Sequence, residues 1–111
     1  MARMSDWQIQ FEQEIERAQS ARTRKNEGQA RVCARRAAGI AIRAYLTRRG
    51  EVVSSPSAVD LLAQIAASVD LAPALRQSAE YLTLRVNEQF KLPDDVDLIK
   101  EAVKLKTGLL E

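Results

Sequence analysis

Arginine is the residue type through which this chain has most chemistry to offer. Arg36 and Arg43 stand seven positions apart, two turns of a helix, and so share one side of it, with Arg31 and Arg35 on the adjacent flank. Guanidinium groups pair bidentately with phosphate oxygens, so a strip of this kind reads as a binding surface for RNA or a nucleotide. The same residues also fit a solvated face paired with acids from other helices. They also fit a homodimer seam, in which Val32, Gly39, Ile42 and Leu46 recur at heptad-like steps and Arg35 or Arg43 bridges to a partner's acids. Gly39 would let two helix backbones approach closely there.

The other reactive residue types are few, and they exclude more than they suggest. There is no histidine, which removes the commonest general base and every Ser/His/Asp or Cys/His arrangement. Cys33 is the single cysteine, so an internal disulfide and a Cys/His zinc set are both excluded. Beside a stripe of alanines it reads as a small buried thiol. Asp94, Asp95 and Asp97 follow Pro93, and three acids after a proline mark a helix start rather than a metal site. The four glycines are isolated, which leaves no phosphate-cradling loop. No catalytic residue, metal or cofactor is expected.

These groups must be positioned by helices. A chain of 111 residues, 46% hydrophobic and only 5% aromatic, with few glycines or prolines and no run of alternating β-branched residues, is one all-helical domain. Its organising element is the stretch from Gly28 to Gly50. Ala30, Ala34, Ala37, Ala41, Ala44 and Tyr45 fall on one broad apolar face, while Val32, Gly39, Ile42 and Leu46 fall on its flank or back, so this helix needs cover on two sides.

In chain order, Ser5 with Gln8 has capping-box spacing, and Trp7, Phe11, Ile15 and Ala18 then give a first helix one apolar stripe. Asn26 with Gln29 repeats the capping spacing, and Gly50 supplies the stop of the second helix. Ser55 followed by Pro56 starts a third helix, interrupted between Asp70 and Pro73. The expected helices are 5–23, 27–49, 56–90 with a break around residue 70, and 94–110, arranged as an up-and-down antiparallel four-helix bundle. Trp7, Phe11, Ile15, Ala34, Ala37, Ala41, Leu62, Leu82 and Val103 are expected to be buried together, and Ile99, Ala102, Val103 and Leu110 to form the core face of the last helix.

Net charge is only +2, but residues 28 to 50 carry six arginines and no acid, while residues 51 to 111 carry more acids than bases. The basic element is therefore the central helix. No apolar run approaches the length of a membrane span, and Met1, Ala2 and Arg3 lead into polar sequence, so a cytoplasmic protein without membrane contact is expected.

The run from Ala30 to Leu46, Ala-Arg-Val-Cys-Ala-Arg-Arg-Ala-Ala-Gly-Ile-Ala-Ile-Arg-Ala-Tyr-Leu, resembles the second helix of the HEPN family. The glycine and Ser-Pro linker, the helix of Leu61 and Leu62, and Lys91-Leu92-Pro93-Asp94, similar to that family's Arg-Tyr-Pro-Asp turn, extend the likeness over residues 5 to 110. Two positions depart from it. Gly39 stands where many members have an acid, and the family's ribonuclease signature, an Arg followed by His, has no histidine to complete it. Arg85 matches the arginine part, but Phe90, Lys91 and Leu92 occupy the positions of the His. Arg85 and Lys91 thus join Arg35, Arg36 and Arg43 as candidate phosphate- or RNA-binding residues. The resemblance implies an antiparallel four-helix bundle that dimerises, and a nucleotidyltransferase-type partner of the kind encoded beside such proteins in toxin and antitoxin systems. The expected function is a non-catalytic module for protein assembly, with RNA or nucleotide binding through the second helix. The alternative is a ribonuclease or nucleotide-handling enzyme with an atypical histidine-free site.

Overall fold

The computed structural model describes residues 5–53, 57–84 and 96–111. Among these there are five helices and no strand: α1 (Asp6–Thr23), α2 (Glu27–Arg48), α3 (Ala58–Ala66), α4 (Pro73–Leu82) and α5 (Leu98–Leu110). No helix among the described residues is long and apolar enough to cross a membrane.

The first two helices start and stop where local chemistry dictates. The Gln8 side-chain carbonyl accepts from the Ser5 N–H at 2.8 Å, and the Asn26 side chain accepts from the Gln29 N–H at 3.2 Å, so each start satisfies an orphan donor. Both stops use the same backbone device. At the end of α1 the Asn26 N–H reaches the Ala21 carbonyl and the Lys25 N–H the Arg22 carbonyl. At the end of α2 the Glu51 N–H reaches Leu46 and the Gly50 N–H reaches Thr47. This pairing requires a left-handed residue between helix and exit. Gly50 adopts it at φ 76 without steric cost, whereas Lys25 adopts it at φ 63 with a side chain. Lys25→Gly is therefore expected to stabilise the α1–α2 turn by about 0.5 to 1 kcal/mol, read as a higher midpoint in urea unfolding.

α2 is the central element, with α1, α3 and α5 all packed on it. Its small residues make this possible: Ala30, Ala34, Ala37, Ala38 and Ala41 are all 0% exposed. Ala44 and Tyr45, expected on the same face, are only half-buried. The second layer of cover comes from α3, which meets the back of α2 where Gly39 faces Ala58. Ile42 and Leu46 are consequently core residues alongside Leu61, Leu62 and Ile65.

The expected break around residue 70 is present, and it separates two helices that double back rather than two stretches of one line. Pro73 opens α4, and residues 67 to 72 between them are non-helical, as the Asp70 to Pro73 stretch requires. The chain sets out beside Gly39, reaches the C-terminal end of α2 where Asp70 lies 3.9 Å from Arg49, and returns until the Leu82 carbonyl meets Arg35. That path is a helical hairpin along α2. α3 is capped by Ser57, which accepts from the Asp60 N–H, and begins two residues later than expected. Ser55, Pro56, Val86 and Phe90 lie outside the described residues.

α5 begins at Leu98 instead of 94, because Asp97 is its cap, accepting from the Ile99 and Lys100 N–H groups at 3.1 and 3.3 Å. Pro93, Asp94 and Asp95 lie outside the described residues. The inward stripe is Leu98, Ile99, Ala102 and Leu105, all buried, with Leu110 half-buried. Val103 is corrected to the outer side at 40% exposure, since it lies a quarter turn from Ala102 and away from Leu105. Trp7 is half-buried against the core edge rather than inside it, in the first turn of α1.

Arg22 ties three helix ends together, pairing with Glu27 at 2.8 Å and Asp97 at 3.0 Å. Burial works to raise the Asp97 pKa, but the Arg22 hydrogen bond and charge and the two capping N–H groups outweigh it and hold the carboxyl below its ordinary value. A carboxyl depressed in the folded state contributes stability above its ordinary range and loses it as pH falls through the folded value. The stability difference between about pH 7 and about pH 3 is therefore expected to shrink in Asp97→Asn, by up to about 1 kcal/mol given the site's exposure, in paired urea unfolding curves.

Candidate functional site

The arginines sort into two kinds. Arg35 turns inward: its Nε donates to the Leu82 carbonyl at 2.7 Å and an Nη to the Leu84 carbonyl at 2.6 Å, so it closes the C-terminal end of α4. Burial, and then the charge of Arg31, push its pKa below the ordinary arginine value, but a guanidinium stays cationic at neutral pH. Its fork is occupied by backbone carbonyls. Arg36 and Arg43 are both exposed on the outer side of α2, as their spacing predicts. Arg85 and Lys91 lie outside the described residues.

The outer side of α2 meets α1 along one seam. Because the two helices are antiparallel about the turn at Lys25 and Asn26, residues equidistant from that turn stand opposite one another. Near the turn, Arg17, Ser20 and Arg24 of α1 face Gln29, Cys33 and Arg36 of α2 across a groove of about 320 Å³. At the far end, Trp7 and Gln10 of α1 face Ile40, Arg43, Ala44, Thr47 and Arg48 of α2 around a cleft of about 460 Å³. On α2 these positions run 29, 33, 36, 40, 43 or 44, and 47, which is a heptad stripe. The two hollows are thus successive stretches of one face, with a floor of Cys33, Ile40, Ala44 and Trp7 and a rim of arginines.

Within the seam, Arg17 pairs with Glu14 at 2.6 Å, and Arg48 donates to the Leu110 carbonyl at 3.4 Å. Arg36 makes no hydrogen bond or ion pair among the described residues. Cys33 is 1% exposed and accepts from the Gln29 amide at 3.6 Å, in keeping with a buried thiol. Arg17, Arg24 and Trp7 were not singled out by reading α2 alone. Their signal is the pairing of an antiparallel hairpin, which appears only once the turn is fixed at Lys25.

The residues expected to form a homodimer seam divide differently. Gly39, Ile42 and Leu46 are inside the chain, covered by α3, and only Val32 is exposed, at 38%. The apolar back of α2 is thus closed by the chain itself.

A second concavity, of about 810 Å³, runs between α4 and α5. On its floor the Ser78 hydroxyl donates to Glu101 at 2.8 Å, and Lys104 pairs with the other Glu101 oxygen at 3.3 Å. A hydroxyl beside a carboxylate has the makings of an activated nucleophile. Here Ser78 is 2% exposed and Glu101 7%, so the group lies beneath the surface as a satisfied tie between α4 and α5. Among the described residues no cluster of histidine, cysteine, aspartate or glutamate has the makings of a metal site. No protein-family model matches the chain, and no curated protein or solved structure matches it.

Proposed function

We propose that this chain is a non-catalytic, HEPN-like helical module that works by assembly, using the outer α1–α2 face as its contact surface. The observation that carries this reading is the seam itself: half-buried apolar residues, open to one side and rimmed by arginines, in one heptad register. The lack of any histidine and the occupation of Arg35 by backbone carbonyls both weigh against nuclease chemistry. In this reading α1, α2, α4 and α5 alternate in direction and make up the four-helix antiparallel bundle that the HEPN resemblance implies, with α3 as an added cover on α2. A nucleotidyltransferase-type protein is the partner that the same resemblance implies. Of the homodimer-seam residues Val32, Gly39, Ile42 and Leu46, the last three are interior and only Val32 is at the surface.

A second reading, an RNA- or nucleotide-binding strip, is favoured by one observation: Arg36 and Arg43 are exposed and two turns apart on the same side. One experiment addresses both. Purified protein incubated with single-stranded RNA is expected to leave it intact; cleavage abolished by Arg85→Ala would contradict the non-catalytic reading. Strongly salt-dependent RNA binding, lost in Arg36→Ala with Arg43→Ala, would favour the second reading.

A further inference from the structure

Resting on the reading of the α1–α2 face as an assembly surface, we infer that its occupant is an acidic, amphipathic α-helix from a different protein, laid lengthwise in the seam as a third helix. Shape is the first reason. Two antiparallel helices offer a third helix a groove whose lining repeats at steps of three and four, and both sides of this seam do so. From Gln29 to Thr47 the groove is about 27 Å long, the length of a helix of about 18 residues. Its floor accepts small and medium apolar side chains against Cys33, Ile40, Ala44 and Trp7.

Charge is the second reason, and it chooses among occupants. Arg24 and Arg17, the latter paired with Glu14, stand along one rim and Arg36 and Arg43 along the other, each pair two turns apart. A helix with apolar residues on one face and glutamates on both flanks places a carboxylate near each turn of the rim. A second copy of this chain is disfavoured, because a two-fold contact sets arginine rims against each other. Single-stranded nucleic acid takes its affinity from stacking platforms along the strand, and among the described residues this face supplies a single aromatic, Trp7, at one end.

Trp7 is also the chain's single tryptophan, so its fluorescence reports occupancy directly. The probe is a synthetic 18-residue peptide with leucine and alanine on one helical face and glutamate on both flanks, titrated into the whole protein. The expected result is saturable binding with a change in Trp7 emission. Affinity should fall about tenfold or more in Arg36→Glu with Arg43→Glu, as expected for two exposed pairs turned repulsive, and return when the glutamates on the peptide flank facing α2 alone are exchanged for lysine. Both positions are exposed, so an unchanged unfolding midpoint shows that the variant is folded. No binding, or binding indifferent to the charge reversal, overturns the inference. Binding of a single-stranded RNA oligomer to the same face in preference to the peptide overturns it too, while leaving the α1–α2 face as the contact surface. If neither probe is bound, the assembly reading falls with it.

Discussion

Arg35→Ala is expected to cost about 3 kcal/mol of folding stability. The side chain reaches from the middle of α2 to the exit of α4 and donates to two carbonyls, Leu82 and Leu84, that follow or close the helix and lack helical donors. Hydrogen bonds from a charged donor contribute about 1.5 to 3 kcal/mol each and are not fully additive when they share one guanidinium. Removing the donor also leaves half-buried carbonyl oxygens to find water. Arg35→Lys should recover less than half of the loss, because an ammonium on a flexible stem cannot present a planar fork to two acceptors at once. Urea unfolding followed by circular dichroism measures both. If Arg35 were a phosphate ligand on a solvated face instead, the alanine variant would lose only a few tenths of a kcal/mol and its effect would appear in binding.

Gly39→Leu is expected to destabilise the chain by about 2 to 3 kcal/mol. A Cβ at position 39 would already lie 3.1 Å from the Ala58 Cβ and 3.4 Å from its Cα, so a leucine has no volume to enter and must push α3 off α2. Overpacking of this kind costs about 1 to 3 kcal/mol, and the gain in helix propensity over glycine, about 1 kcal/mol, offsets only part of it. Displacing α3 also uncovers Ile42, which is 0% exposed, and Leu46, which is 3% exposed. The companion variant Gly39→Ala should be near neutral, since a single methyl needs only a few tenths of an ångström and brings the same propensity gain. A dimer contact at Gly39 makes the opposite forecast: the leucine variant would keep or gain monomer stability and lose association. Unfolding curves and sedimentation on the same samples separate the two.

The contrast between these two sites shows what the amino-acid sequence discloses. The ends of α1 and α2 are legible because their causes are local: Asn26 caps three residues away, and Gly50 takes a conformation that glycine adopts freely. The burial of Ala34, Ala37 and Ala41 is legible because one helical face repeats. The two-sided cover of α2 is also legible, but not its source. Nothing in the spacing of Val32, Gly39, Ile42 and Leu46 tells a partner's helix from this chain's own α3, which begins only at Ala58. The break near residue 70 follows from Pro73, yet proline only stops a helix and is silent on whether the chain bends slightly or reverses. Val103 is expected inward beside Ala102, but the buried stripe runs through Leu98, Ala102 and Leu105 and leaves its neighbour on the outer side. Arg35 and Arg36 are the same residue type in adjacent positions. Only carbonyls nearly fifty residues away make one a structural brace and leave the other on the surface.

For the candidate face, sequence spacing placed Arg36 and Arg43 on one outer side and the structure keeps them there. The opposing rim required the register of the hairpin. Arg17 and Arg24 look, in sequence, like ordinary charges on a polar helix, and Trp7 like the first residue of a core stripe. Their common direction follows from the turn at Lys25, which fixes which residues of α1 stand across from which residues of α2.

In the proposed function the contact surface is the outer α1–α2 face and not the larger concavity between α4 and α5. Backbone amide chemical shifts recorded with and without the acidic helical peptide distinguish the two. Perturbations are expected along Trp7 to Arg24 and Gln29 to Arg48, with the Trp7 side chain among the largest, and quiet amides at Ser78, Tyr81 and Lys104. Perturbations centred on Ser78, Tyr81 and Lys104, with Ile40 and Ala44 unmoved, would contradict the proposed function.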